Sequence, residues 1–192
     1  MTLVGAGFPA WYQAVAVLDL GGVEHITIWN RHRAAADQWA NRLHEEYPGL
    51  GLAVADGVAA AVDGADVVTV ATRSREPLLD RRMLAPPVQV NAMGADRVTD
   101  RECASDLMAA AVVYADTPAG VLHESGDVAI PIAKGQLAAE AVHALADAPL
   151  VPPTGITVMK SVGAAVFDVA AARTAWASWL EAASAASGAL GA

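Results

Sequence analysis

The sequence predicts an α/β protein built on a doubly wound parallel sheet, with a C-terminal helical extension. Three observations carry this. A glycine-rich turn, Gly5-Ala6-Gly7-Phe8-Pro9-Ala10, joins a short apolar strand to a helix. Strand-like and helix-like segments then alternate along the chain. The 192 residues are 55% hydrophobic but only 5% aromatic and 17% charged, so the apolar content is mainly alanine and valine, which lets helices pack closely on both faces of a buried sheet.

The elements follow in order. Met1 to Val4 is the first strand, and Trp11 to Leu20 a helix stopped by Gly21-Gly22. His25 to Trp29 is a strand, Arg33 to Tyr47 a long helix, Leu52 to Ala55 a short strand and Gly57 to Val62 a short helix. Asp66 to Ala71 has a continuous β-branched core, Val67-Val68-Thr69-Val70, and reads as a buried strand. Val88 to Ala92 and Ala111 to Ala115 are two more strands, with a helix over Arg101 to Ala111 between them. The prolines of Ala148-Pro149-Leu150-Val151-Pro152-Pro153 interrupt regular structure and mark a boundary: residues 1–152 form the dinucleotide-binding domain, and residues 153–192 the last strand (Ile156 to Met159) and a long helix from Val162 to about Ala183. On that helix Val162, Val166, Val169, Trp176 and Leu180 share a face beside Trp179, an apolar surface that calls for a cover, from its own sheet or from another domain or chain.

Composition narrows the function classes. A net charge of −9 and the shortness of the basic clusters (Arg31-His32-Arg33, Arg81-Arg82) argue against nucleic acid. No apolar run is long enough for a membrane span, because Lys160 and Asp168 break the best candidate. The single cysteine, Cys103, fits a reducing cytoplasm and reads as a packed thiol. The five histidines lack paired ligand spacing, so no metal site is expected.

The turn points to a dinucleotide cofactor. Gly5 permits the bend, Gly7 lets the backbone approach a pyrophosphate, Ala10 keeps helix and strand close, and the helix N-terminus offers N–H groups to phosphate. Phe8 and Pro9 complete the turn. About 20 residues on, an NAD-binding strand ends in a carboxylate. Here it ends Trp29-Asn30-Arg31-His32-Arg33. Asn30 can bind a ribose, and Arg31 or Arg33 a 2′-phosphate, so NADP(H) is favoured over NAD(H). The alternative is that these arginines are a solvated helix start.

Taken together, the motifs resemble the ornithine cyclodeaminase/mu-crystallin family. The matching stretches are the glycine turn, Trp29-Asn30-Arg31, Ala65-Asp66-Val67-Val68 leading into Ala71-Thr72-Arg73-Ser74, and Val90-Asn91-Ala92-Met93-Gly94-Ala95-Asp96. They continue through Glu102, Ser125-Gly126-Asp127 and Thr157-Val158-Met159-Lys160-Ser161-Val162-Gly163, with Asp168 beyond. The resemblance implies a Rossmann-type domain binding NAD(P)(H), and a small amino-acid or imine substrate. It implies that Asp96 acts at the substrate amine, as catalytic residue, unless it is a helix-cap or loop aspartate. It places Thr72 and Ser74 against the cofactor ribose, Met93 in the cofactor site, and Lys160, Ser161 and Gly163 beside the nicotinamide, where strand-end and helix-cap chemistry is the competing explanation.

The family's N-terminal substrate domain has no counterpart in these residues, because the glycine turn lies almost at the first residue. The expectation is a cofactor-binding portion whose C-terminal helix returns to a missing substrate domain, with a homodimer or a separate substrate-domain chain as partner. Two functions stay open: amino-acid or ketimine oxidoreduction or cyclodeamination, and a non-catalytic NADP(H)-binding module acting through a partner or self-association.

Overall fold

The computed structural model describes residues 1–149 and 154–189. Its elements in chain order are β1 (Thr2–Val4), α1 (Phe8–Asp19), β2 (His25–Trp29), α2 (Arg33–Glu46), β3 (Gly51–Val54), α3 (Val58–Val62), β4 (Val67–Val70) and β5 (Val88–Ala92). Then come α4 (Ser105–Ala110), β6 (Val112–Ala115), α5 (Pro118–Glu124), α6 (Gly126–Ala133), β7 (Val142–Ala144), β8 (Ile156–Lys160) and α7 (Ala165–Ala189). The strands form one parallel sheet in the order β3-β2-β1-β4-β5-β8-β6-β7. This is the predicted doubly wound α/β class. The order reverses between β1 and β4, and such reversals leave a crevice beyond the carboxyl ends of the strands.

The core explains why these residues form these elements. Successive residues of a strand face opposite sides of the sheet. Leu3 packs with Ile26, Ile28, Trp11, Ala14, Ala36 and Leu43, while its neighbour Val4 joins Val68, Val70, Val90 and Val158 in the second cluster. Fully burying a side chain such as Leu3 or Ile28 contributes about 1.5–3 kcal/mol. The many alanines let α1 and α2 come close to the sheet, and the Arg42 guanidinium closes the edge by stacking 3.6 Å above the Trp11 ring.

Four details differ from the sequence expectation. Helix α1 begins at Phe8 rather than Trp11, because Pro9 in the first turn needs no hydrogen-bond partner for its nitrogen. Cys103 precedes the helix instead of lying in it: the amides of Glu102 and Cys103 donate to Asp127 Oδ1 at 2.8 and 2.9 Å, and Cys103 bridges Leu79, so the helix starts only at Ser105. Helices α5 and α6 and strand β7 had no reading in the sequence. The last helix starts at Ala165 and runs to Ala189.

The chain divides into two compact units between Val162 and Gly163, later than the proline-rich segment. Leu150, Val151, Pro152 and Pro153 of that segment lie outside the described residues. Strand β8 belongs to the first unit, inserted between β5 and β6. In the second unit α7 exposes Val166, Phe167, Val169, Trp176, Trp179 and Leu180, and Trp176 stacks on Trp179 with ring centroids 4.9 Å apart.

Candidate functional site

Register places the site. Val4 stands opposite Trp29 on one side and Val70 on the other; Val70 pairs with Ala92, Ala92 with Lys160, and Lys160 with Ala115. These residues form one row at the carboxyl edge of the sheet. The loops leaving that row carry the residues singled out in the sequence: Gly5 after β1, Asn30 and Arg31 after β2, Thr72 after β4, Met93 to Asp96 after β5 and Ser161 after β8.

A crevice of about 630 Å³ opens over the β1/β4 reversal, within the range of cofactor pockets. It is lined by Gly5, Gly7, Phe8, Pro9, Asn30, Arg31, Thr72, Ser74, Met93 and Asp96, and also by Ala6, Trp29, Ala71, Arg73, Leu78 and Gly94. Ala10 is fully buried beneath the turn. Arg33, Lys160, Ser161 and Gly163 are not among the lining residues.

Gly5 has φ +111°, and a β-carbon there would lie 2.5 Å from the Ala71 carbonyl oxygen. Only glycine fits. The turn then delivers the N-terminus of α1, whose N-cap, Gly7, has no capping side chain and whose first turn has no acid. Through Gly7, Phe8 and Pro9 the N-terminus of α1, the positive end of its dipole, borders the crevice, an arrangement that fits a phosphate. At the end of β2, Arg31 is exposed, whereas Arg33 is paired with Asp56 and stands 3.8 Å from Asp37. The Asn30 amide donates to the His32 carbonyl oxygen at 3.0 Å.

Beneath the loops after β4 and β5 lies a buried charge cluster. The Glu102 carboxylate accepts hydrogen bonds from the Thr72 amide, from Thr72 Oγ1 (2.7 Å) and from the Gly94 amide (2.6 Å). A β-carbon on Gly94 would run into the Thr72 carbonyl and lie 2.5 Å from Glu102 Oε1, so this contact also requires glycine. Lys160 is fully buried, 3.7 Å from Asp127 Oδ2, and donates to the Ala92 carbonyl oxygen at 3.2 Å. Its ammonium therefore ties the end of β5 to Asp127 of α6. Burial pushes the Glu102 carboxyl up to about 7 against the hydrogen bonds from Thr72, and it raises Asp127 against the attraction of Lys160. Cys103, buried beside both carboxylates, is pushed well above its ordinary value, as suits a packed thiol.

Farther along the edge, Ser161 Oγ and the Val162 amide donate to Asp116 Oδ2 at 2.7 and 3.1 Å, which ties the end of β8 to the end of β6. Asp96 is exposed at the crevice rim, on the loop after β5. Sequence reasoning gave no role to Glu102, Asp116 or Asp127. An acid ahead of the apolar run Val128-Ala129-Ile130 signals a helix start, as it does in α6, but does not name a partner 33 positions away such as Lys160. Among the described residues no group of three or more His, Cys, Asp or Glu side chains is placed to hold a metal ion, and no helix is long and apolar enough to cross a membrane.

With this geometry in hand, the sequence matches the model of the ornithine cyclodeaminase/mu-crystallin family over residues 1–183. The chain belongs to this family. It is 32% identical over 179 residues to the ketimine reductase mu-crystallin of Mus musculus, covering 93% of this chain and 55% of that protein. It is 28% identical over 181 residues to a Delta(1)-pyrroline-2-carboxylate reductase of Colwellia psychrerythraea, covering 91% and 57%. The structure of Thermococcus litoralis Delta(1)-pyrroline-2-carboxylate reductase in complex with NADH and L-proline superposes with a TM-score of 0.87 at 26% identity, covering 94% of this chain and 58% of that one. The chain thus spans little more than half the length of these family members.

Proposed function

We propose that this chain is the nicotinamide-dinucleotide-binding portion of an oxidoreductase or cyclodeaminase acting at the carbon–nitrogen bond of a small amino acid or imine. The observation that carries this is the crevice over the β1/β4 reversal, where Gly5 brings the uncapped N-terminus of α1 against the loop after β4. The named activities of the relatives, ketimine and pyrroline-2-carboxylate reduction, support the substrate class.

The residues divide the work. Gly5, Gly7, Phe8, Pro9 and Ala10 shape the pyrophosphate seat, and the N–H groups of α1 neutralise its charge. Asn30 and Arg31 meet the adenosine ribose; the exposed Arg31 guanidinium, with no carboxylate ending β2, favours NADP(H) over NAD(H). Arg33, already paired with Asp56, contributes less. Thr72, Ser74 and Met93 line the way to the nicotinamide end. Lys160 and Ser161 hold the strand ends beneath it, and Gly163 follows them. The bound cofactor supplies or accepts a hydride at the substrate carbon. Asp96, at the rim, gives the substrate nitrogen its proton in reduction and takes it back in the reverse direction.

A second reading, a non-catalytic NADP(H)-binding module acting through a partner or self-association, draws on the exposed Trp176–Trp179 pair of α7. A homodimer, or a separate substrate-domain chain, would satisfy that surface.

The test is a fluorescence titration with NADPH and NADH, following energy transfer from Trp29 at the crevice wall to the reduced nicotinamide. Saturable transfer, tighter for NADPH, is expected. A folded chain that binds neither contradicts the proposal.

A further inference from the structure

The loops after β4 and β5 form facing walls of the crevice; their strands end at Val70 and Ala92, and one further backbone bond runs from the Met93 amide to the Val70 carbonyl oxygen at 2.9 Å. Gly94 packs against the Thr72 backbone, and one carboxylate bridges the two. Glu102 takes two donors from Thr72 on one oxygen and the Gly94 amide on the other, and it reaches them from a segment fixed by Asp127 Oδ1. We propose that Glu102 is a positioning residue for the cofactor crevice, holding Thr72 and Gly94 at binding distance only while its carboxylate is ionised. This rests on the dinucleotide reading of the crevice.

The chemistry gives the direction. An ionised carboxylate offers acceptors to all three donors; a protonated one turns its hydroxyl into a donor facing other donors. The groups facing it are Lys160 from β8, Asp127 from α6, and Arg101 and Cys103 from its own segment. Fully ionised, Glu102, Asp127 and Lys160 carry two negative charges against one positive. Burial pushes the Glu102 carboxyl up to about 7, against the hydrogen bonds from Thr72 and Gly94 and the attraction of Lys160, and so puts the transition within a physiological range.

The test uses two readouts. In the ligand-free chain, the Thr72 and Gly94 amide proton resonances are followed by NMR across the neutral range; a shared titration is expected in the wild type and none in Glu102→Gln. NADH affinity is measured over the same range, since the 2′-phosphate of NADPH itself titrates near pH 6. Affinity is expected to rise severalfold with pH in the wild type. In Glu102→Gln it is expected to be weak and flat, because the side-chain amide sets a donor against a backbone donor. Glu102→Asp keeps the charge but is one methylene too short to reach both loops, so it should bind weakly while remaining pH-dependent. Wild-type binding that is flat with pH and matched by folded Glu102→Gln overturns this proposal alone. A shared amide titration without binding of NADH or NADPH at any pH overturns the dinucleotide reading, and the positioning role with it.

Discussion

Gly5 and Ala71 are in backbone contact: a β-carbon on Gly5 would lie 2.5 Å from the Ala71 carbonyl oxygen, while the Ala71 amide donates to the Val4 carbonyl at 3.0 Å. The first turn of the chain is thereby welded to the end of β4, and the crevice opens where the two meet. Gly5→Ala places a side chain at φ +111° as well as in that contact. The variant is expected to lose roughly 1–3 kcal/mol from the backbone conformation, with the clash adding to it. Urea unfolding measures the loss, and NADPH titration of the folded fraction should show binding abolished.

Lys160→Met leaves Asp127 without its cation in a fully buried site. Breaking such a pair costs about 3–5 kcal/mol. Asp127 can take up a proton instead, so the deficit should grow as pH rises. Unfolding of the variant and wild type compared in mildly acid and mildly alkaline buffer checks this.

The stability of the wild type should itself fall with pH over part of the range. The Glu102 carboxyl is raised from 4.5 to about 7 on folding, so between those values the folded chain binds more protons than the unfolded one. Stability is then fully present below about 4.5 and declines by up to about 1.4 kcal/mol per pH unit as pH rises through about 7. Asp127, raised in the same direction, adds to the decline. Glu102→Gln should flatten the profile measured by urea unfolding.

Arg31 and Arg33 lie two positions apart but differ in surroundings, Arg33 being paired with Asp56. Arg31→Ala should weaken NADPH about tenfold, the loss of one charge-assisted contact, and barely change NADH. Arg33→Ala should change either by less. Calorimetric titration of both nucleotides at fixed salt distinguishes them.

Asp96 lines the crevice rim without supporting the fold. Asp96→Asn is expected to bind NADPH like the wild type. In a preparation that turns over an imine or amino acid, it should lower the rate by roughly 100-fold or more, followed by absorbance of the reduced nicotinamide.

The glycine turn, the strand at His25 to Trp29 and the strand at Val88 to Ala92 were legible because each depends on local signals: a φ only glycine adopts, or a short β-branched run between breakers. The crevice lining was legible too, since strand ends and the loops after them follow from the β-α alternation. The charge cluster was not. Glu102, Asp127 and Lys160 come from a loop, a helix and a strand that meet only because β8 inserts between β5 and β6, a long-range pairing with no local signature. The same insertion brings Lys160 to Asp127 and to the Ala92 carbonyl oxygen, contacts with no local signature. Cys103 was misplaced for a related reason: its backbone partners are Leu79 and Asp127, far away in sequence.

The most direct test is a two-dimensional NMR titration of the nitrogen-labelled chain with NADPH. The account predicts saturable shifts concentrated at Gly5 to Ala10, at Thr72 to Ser74 and at Gly94 to Asp96, all at the carboxyl edge of the sheet. Shifts confined to the second depression, at the opposite ends of the same strands around Thr2, His25 and Asp66, or none at saturating nucleotide, would contradict it.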